Sequence, residues 1–258
     1  MHWQTGIRVW GRTTPNPGWQ IRNGHINRLY YIHSGEAYLD VQDARIPLLP
    51  GHLYLLPENA PFTASMSDQD PLDHTYFDFE VIPGFQLQEI LEFPVSQYPL
   101  IQKWLDYVTA IYEQYCPKHW DPEILMLANS CLQELLWILS QITDLPSVSD
   151  PRILDTMLYI QEHLTESLTV ELLADRLFLD KHYFIRLFSR NTGQPPHNYI
   201  QGKRLNLAAS LLQKGISATE TAEQCGYGSY STFARAFKDC YGCSPTGYLQ
   251  SHRQVNFG

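Results

Sequence analysis

Two segments near the end of the chain repeat one another at an offset of 49 residues. The first is Arg186-Leu187-Phe188, four residues, Gly193, two residues, Pro196, two residues, Tyr199. The second is Arg235-Ala236-Phe237, four residues, Gly242, two residues, Pro245, two residues, Tyr248. The Arg, Phe, Gly, Pro and Tyr landmarks keep one spacing, which marks a duplicated structural unit. A short helical segment and a tight turn precede each copy. Thr169 is placed to cap the first segment, with Leu172, Leu173, Ala174 and Leu177 on its buried face. Thr219 or Ser217 caps the second, which runs through Ala222 to Gly226. Small Ala174 and Ala222 let two helices cross steeply, and Gly226 takes a positive φ at no steric cost. Each copy therefore reads as helix, turn, helix. A connecting helix at about 196–212 holds the two rigidly apart.

The second helix of each unit has two faces. Phe184, Leu187 and Phe188 bury one side of the first, and Phe233 and Phe237 one side of the second. The opposite face carries Lys181, His182, Ile185, Arg186 and Arg190 in the first unit, and Ser229, Tyr230, Ser231, Arg235 and Lys238 in the second. Most of these side chains donate to phosphates or base edges, and an arginine can grip guanine through two bonds. Two such units can enter successive major grooves of double-stranded DNA, roughly 34 Å apart.

Charge divides the chain at the same place. Residues 1–149 carry 7 Lys/Arg against 17 Asp/Glu, whereas residues 150–258 carry 11 against 10. The net charge of -9 thus belongs to the first half, and the two halves suit different partners. Five scattered cysteines make no disulfide framework. The start, Met1-His2-Trp3-Gln4, has neither the basic residues nor the apolar run of a secretion signal. No apolar stretch nears the ~18 residues of a membrane span. These features lead us to expect a cytoplasmic protein with no membrane partner.

Up to about residue 83 the chain reads as β. Turn signals are dense: Pro15-Asn16-Pro17-Gly18, Asn23-Gly24, Ser34-Gly35, Pro50-Gly51, Pro57-Glu58-Asn59 and Pro83-Gly84. The runs 29–33, 37–41, 52–56 and 75–81 between them are strand-like, and many short strands suggest a sandwich or small barrel. From about Tyr98 the period becomes helical, through Leu100, Ile101, Trp104, Leu105, Val108, Ile111 and Tyr112. A second helix, about 122–142, places Leu125, Ala128, Leu132, Leu135, Leu139 and Ile142 on one seam. That seam packs either on the chain's own barrel or against a second copy as a homodimer. Residues 145–151, Leu-Pro-Ser-Val-Ser-Asp-Pro, read as a linker. The organisation expected is a β domain at 1–95, a helical linker and possible dimerisation segment at 96–145, and a DNA-binding domain at 151–258.

The C-terminal pattern closely resembles the DNA-binding domain of the AraC/XylS family of transcription regulators, over about residues 152–250. The carriers are Leu173-Ala174, the segment from Tyr183 to Phe188, Arg204-Leu205 with Ala208, Thr221-Ala222, Gly226-Tyr227, Ser231-Thr232-Phe233 and Phe237-Lys238. The resemblance puts the base-reading positions on His182, Ile185 and Arg186, then on Tyr230, Ser231, Ala234 and Arg235. Apolar Ile185 and Ala234 can offer only contact with a thymine methyl. Arg204 reads better as a tie between the connecting helix and its neighbours than as a DNA contact. Leu29 to Glu80 is similar, more loosely, to the cupin-like sensor domain that precedes this module in many members. That likeness rests on Tyr30–Glu36, Leu49-Pro50-Gly51, Tyr54–Pro57 and the strand beginning at His74.

Within that sensor, alternation puts His74, Tyr76 and Asp78 on one strand face. His74 and Tyr76 match a pocket histidine and aromatic of sugar-binding relatives; Tyr31, Arg8, Trp10 and Trp19 are further candidates. A saccharide suits such a set, because its C–H faces stack on rings and its hydroxyl edges take polar groups. The rival is a metal-dependent cupin enzyme, which needs a cluster of histidine and carboxylate ligands. His33 has no histidine two residues away, and the histidine expected after Pro50-Gly51 is missing near Pro61-Phe62. Cys240, Cys243, Cys225 and His252 form only a weak zinc pattern. We therefore expect no catalytic residues, metal or cofactor. The two-domain chain, an all-β cupin-like barrel with following helices and then an all-α double helix-turn-helix, reads as a ligand-responsive, sequence-specific regulator. By resemblance it is an activator sensing a sugar, with RNA polymerase among its partners. The alternatives are a repressor of non-sugar metabolism or stress genes, and a cupin enzyme with a DNA-binding tail.

Overall fold

The computed structural model describes residues 3–22, 26–58, 60, 62–82, 84, 85, 87, 89–115, 121–145, 148 and 150–249. The chain falls into two compact units, one drawn from residues 1–21 and 26–147, the other containing residues 148–258. The first is β-rich with following helices and the second is all helix, the fold class expected.

The first unit is built from β1 (Gln4–Thr13), β2 (Gln20–Arg22), β3 (Asn27–Ser34), β4 (Ala37–Val41), β5 (Ala44–Leu48), β6 (His52–Leu56), β7 (Thr63–Met66), β8 (Asp73–Ile82) and β9 (Leu91–Pro94). A five-stranded sheet has the order β1-β8-β3-β6-β9, and a four-stranded sheet the order β2-β7-β4-β5. The four strand-like runs all fall inside β3, β4, β6 and β8. Sequence periodicity did not reveal β5, which contains Pro47. It pairs with β4 alone, at the sheet edge, where a missing amide donor is tolerated. Of the turn signals, Asn23-Gly24, Asn59 and Pro83 lie outside the described residues.

Alternation sorts the five-stranded sheet into two faces. Tyr30, Ile32, Tyr54 and Leu56 pack with Ala37, Leu39, Leu48 and Ala64 of the other sheet. Leu29, Leu53, Leu55, Phe77 and Phe79 face the opposite way, onto α1 (Pro99–Tyr115) and α2 (Pro122–Ile142). The Trp104 indole donates to the Cys131 carbonyl at 2.7 Å, joining the two helices. Of the predicted seam, Ala128, Leu132, Leu135 and Leu139 are buried in this core, Leu125 packs at its margin, and Ile142 is 40% exposed. The chain's own sheet thus fills most of the seam. Leu100, expected on the buried face of α1, is exposed instead.

The linker stretch anchors both units: Leu145 is buried in the sheet–helix core, and Val148 in the first core of the helical unit. Pro146, Ser147 and Ser149 lie outside the described residues. The second unit contains α3 (Pro151–Glu162), α4 (Val170–Arg176), α5 (Lys181–Thr192), α6 (Pro196–Gln213), α7 (Ala218–Gln224) and α8 (Tyr230–Tyr241). Among the described residues, no helix is long and apolar enough to cross a membrane.

Candidate nucleic-acid interface and effector site

The duplication in sequence is a duplication in structure. Helices α4 and α5 form one helix-turn-helix, α7 and α8 the other, and α6 joins them. The four helices of the two units each start on a side-chain cap. Thr169, Asp180, Ser217 and Ser229 accept from the amides of Leu172, Tyr183, Glu220 and Thr232. Ser217 rather than Thr219 is thus the cap of α7. Helices α5 and α8 both end on a left-handed glycine, Gly193 at φ 76° and Gly242 at φ 75°. Those caps account for the repeated glycine. Phe184 and Phe188 fill one small core and Phe233 and Phe237 the other. Leu172, expected on the buried face of α4, is 39% exposed.

The outward faces of α5 and α8 carry the predicted set. Lys181, His182, Arg186 and Arg190 are exposed on α5, and Ile185 is half-buried. Ser229, Tyr230, Ser231, Arg235 and Lys238 are exposed at α8, with Ala234 half-buried. Lys181 pairs with Glu171 of α4 at 2.5 Å, and the Ser229 and Ser231 hydroxyls bond each other at 3.2 Å. Arg204 of α6 donates to three carbonyls: Leu164 at 2.9 Å, Glu166 at 2.6 Å and Gly226 at 3.2 Å. The first two precede α4, and the third sits in the turn of the other unit. Arg204 therefore ties the two helix-turn-helix units together.

In the first unit, β8 presents His74, Tyr76 and Asp78 to the space between the sheets. Across the ladder they meet Ile32, Tyr30 and Arg28 of β3. Arg28 pairs with Asp78 at 3.2 Å and donates to the Tyr30 hydroxyl at 3.2 Å. The His74 ring lies among Tyr30, Tyr76 and Trp19, with centroids at 4.9, 5.5 and 6.1 Å. One His74 nitrogen bonds the Thr13 backbone, while Nδ1 is buried with no hydrogen-bond partner. Asp78 Oδ1 is buried and unpartnered as well. Tyr76 and Asp78 are only half-buried, unlike Phe77 and Phe79 on the other face, so the space between the sheets is reachable from solvent.

The remaining ligand candidates go elsewhere. Trp10 stacks on Phe77 and meets Tyr112 edge-on, in the core that faces the helices. Tyr31 packs against that same core, one residue out of phase with Tyr30. Arg8 pairs with Glu80 at 2.9 Å. Arg28, Tyr30 and Tyr54 were missed. A signal was present for Arg28, a cation in phase with Tyr30 and Ile32 on an otherwise apolar face.

Burial sets the titration of this site. It pushes the His74 imidazole down to about 4, against a raising contribution from the Thr13 backbone. Burial also raises Asp78, and Arg28 opposes that shift. A histidine depressed in the folded state takes its proton first in the unfolded chain, whose value is ~6.5. Stability from neutral His74 is therefore complete above that pH and is lost as pH falls towards 4, by at most about 3 kcal/mol. His33 is lowered as well and acts in the same direction. Asp78 acts oppositely, since its raised value lets the folded chain take a proton first. The melting temperature should thus fall between pH 6.5 and 4.5 in the wild type, and less in His74→Asn. An equally steep fall in the variant would clear His74 as the source.

No group of three His, Cys, Asp or Glu among the described residues could hold a metal. Cys225 and Cys240 are buried and Cys243 is half-buried, none of the three in a disulfide; His252 lies outside the described residues.

Two family models match the two sites. One, the AraC-like ligand binding domain, covers residues 28–115; the other, a helix-turn-helix domain, covers residues 173–251. The chain belongs to the AraC/XylS family of transcription regulators. Its similarity to the probable transcriptional regulator LumQ of Photobacterium leiognathi is 27% identity over 245 residues, covering 90% of this chain and 96% of LumQ. The xylose operon regulatory protein of Escherichia coli K12 is 29% identical over 114 residues, 44% of this chain and 29% of that protein. Among solved structures, ToxT of Vibrio cholerae superposes with a TM-score of 0.64 at 14% identity, covering 96% of each chain. That likeness extends to the two-domain architecture. Both matched domains are those of transcription regulators, a helix-turn-helix for DNA and a sensor for a small molecule.

Proposed function

We propose that this AraC/XylS regulator responds to an uncharged polyhydroxylated effector, a sugar or close relative, held between the two sheets beside His74, Tyr76 and Asp78. The observation that carries this reading is the pair of buried atoms without partners, His74 Nδ1 and Asp78 Oδ1. With its other nitrogen on the Thr13 backbone, neutral His74 presents Nδ1 as an acceptor, and a carboxylate oxygen is also an acceptor. Two buried acceptors call for a ligand that donates, as hydroxyls do. A carboxylate head would set acceptor against acceptor and leave both groups unsatisfied. Arg28, the cation that could answer it, holds Asp78 and the Tyr30 hydroxyl through Nη1, and its buried Nε, which makes no hydrogen bond, suits a hydroxyl that accepts as well as donates. One ToxT structure holds an unsaturated fatty acid, and this polar lining disfavours such a ligand here. Trp19, Tyr30 and Tyr76 supply the rings on which a sugar face stacks.

On the DNA side, Lys181, His182, Arg186 and Arg190 of α5 and Ser229, Tyr230, Ser231, Arg235 and Lys238 of α8 meet the duplex. Ile185 offers apolar contact alone. The first unit supplies more of the salt-dependent affinity, because its outward face carries more cations. Regulation is activation, with RNA polymerase as the protein partner. Pairing of two chains uses faces other than the buried part of the α2 seam.

The test begins with duplexes selected from a random library by the full chain. Arg235→Ala is expected to cost about 1–3 kcal/mol on the selected site and relax one base position. Unchanged binding at fixed salt removes Arg235 from the reading set. Calorimetric titration of pentoses and hexoses should then find a sugar that His74→Ala and Asp78→Asn bind at least roughly tenfold more weakly, a loss of about 1.4 kcal/mol. Binding of oleate and of no sugar overturns the polyhydroxyl reading.

A further inference from the structure

The two helix-turn-helix turns are built alike with one exception. In the first, the Phe178 amide donates to the Asp175 carbonyl at 3.0 Å and the Leu179 amide to the Ala174 carbonyl at 3.0 Å. In the second, the Gly226 amide donates to Glu223 at 3.0 Å and the Tyr227 amide to Ala222 at 3.0 Å. This is one helix-ending motif in two copies, and its defining residue adopts the left-handed conformation, at φ 55° in Phe178 and 74° in Gly226. Glycine takes that conformation freely, whereas a bulky side chain is strained in it. At Gly226 nothing else fits: an added Cβ would lie 2.8 Å from the Thr165 carbonyl oxygen and 3.2 Å from the Arg204 guanidinium. In the first turn the same place holds a phenylalanine that is 97% exposed.

Folding does not account for this residue. A ring in solvent contributes no burial, and the backbone beneath it favours glycine or asparagine. Single exposed apolar residues are ordinary; a fully exposed ring on a backbone position that disfavours it is a reason to look for function. Its place in the fold identifies what it meets. Phe178 stands two residues before Asp180, the cap of α5. The outward face that follows it carries exposed Lys181, His182 and Arg186. Two backbone hydrogen bonds hold the turn, so the Cα that carries the ring is fixed just ahead of that face.

We infer that Phe178 is an apolar DNA contact, lying against a deoxyribose or a thymine methyl at the edge of the groove that α5 enters. The inference rests on α5 being a DNA-reading helix. Such a contact adds affinity without releasing counterions. It also distinguishes the two units: the first combines cations with an aromatic flank, while in the second a glycine, Gly226, holds the matching position.

The test uses the full chain and a duplex it selects from a random library. Phe178→Asn and Phe178→Gly should each lose roughly five- to tenfold in affinity, the size of one apolar contact. The slope of log affinity against log salt should not change. Phe178→Tyr, which keeps the ring, should bind as the wild type does. Melting temperatures of the Asn and Gly variants should equal or exceed the wild-type value, since both relieve strain. Wild-type affinity in the Asn and Gly variants overturns the inference, and does so in favour of a protein partner if transcription falls while binding holds. Arg186→Ala separates this from the underlying reading. Full binding by Arg186→Ala removes α5 from the interface, whereas weakened Arg186→Ala beside unaffected Phe178 variants removes Phe178 alone.

Discussion

Replacing Arg204 with alanine should destabilise the helical unit by about 2–4 kcal/mol, from the loss of three charge-assisted hydrogen bonds to backbone carbonyls. No single contact is strong; what matters is where the three carbonyls lie. Leu164 and Glu166 belong to the approach to α4, and Gly226 to the turn before α8. One guanidinium therefore fixes the separation of the two recognition helices. Arg204→Lys should recover less than half of the loss, because an ammonium lacks the planar fork that spans three acceptors. All six tryptophans precede residue 148, so urea unfolding followed by helix circular dichroism, rather than tryptophan fluorescence, reads this unit. The DNA phenotype is more diagnostic. A duplex contacted by both units should lose more affinity than one shortened to a single groove, since only the first needs the fixed spacing. Equal loss on both, or a stability change under about 1 kcal/mol, would remove Arg204 from this role.

The second large effect is in the sheet unit. Gly35→Ala should cost about 3–5 kcal/mol, a large part of a typical domain's stability. Gly35 joins β3 to β4 at φ 93°, and an added Cβ would fall 2.2 Å from the Pro71 carbonyl oxygen and 2.7 Å from Leu72 Cα. Both obstacles are backbone, so no rotamer change can relieve them; the β3–β4 connection or the approach to β8 must move. Gly18 and Gly51 provide the control. They have positive φ, 77° and 78°, but no atom within 4 Å of the added carbon. Their alanine variants should lose only about 1 kcal/mol, the conformational cost alone. Tryptophan fluorescence in urea measures all three. If Gly35→Ala lost no more than Gly18→Ala, the close approach to Pro71 would not be a packing constraint in solution.

The helical half was almost wholly legible before folding. Its information is local: a cap at Thr169, glycines at 193 and 242, phenylalanines four residues apart. Each of these acts over a single turn of helix, so reading along the chain is enough. The same holds for His74, Tyr76 and Asp78, which share a face because side chains alternate along any strand. Trp10 and Tyr31 show where that reasoning stops. Alternation says which residues share a face within one strand, but not which face of the sheet the helices will cover. In β1 the phase is further shifted by an irregularity between Ile7 and Val9.

The opening repeat thus fixed the number of helix-turn-helix units, their boundaries and their outward side chains, because all of these follow from interactions between near neighbours. Three other features depend on residues far apart in the chain. Arg28 meets Asp78 across a ladder of paired strands. Arg204 meets Gly226 through the crossing of helices. The α2 seam closes on its own sheet, where Leu132 and Phe77 share a core. In each case several partners of suitable chemistry were available, and chain topology set which one came within reach.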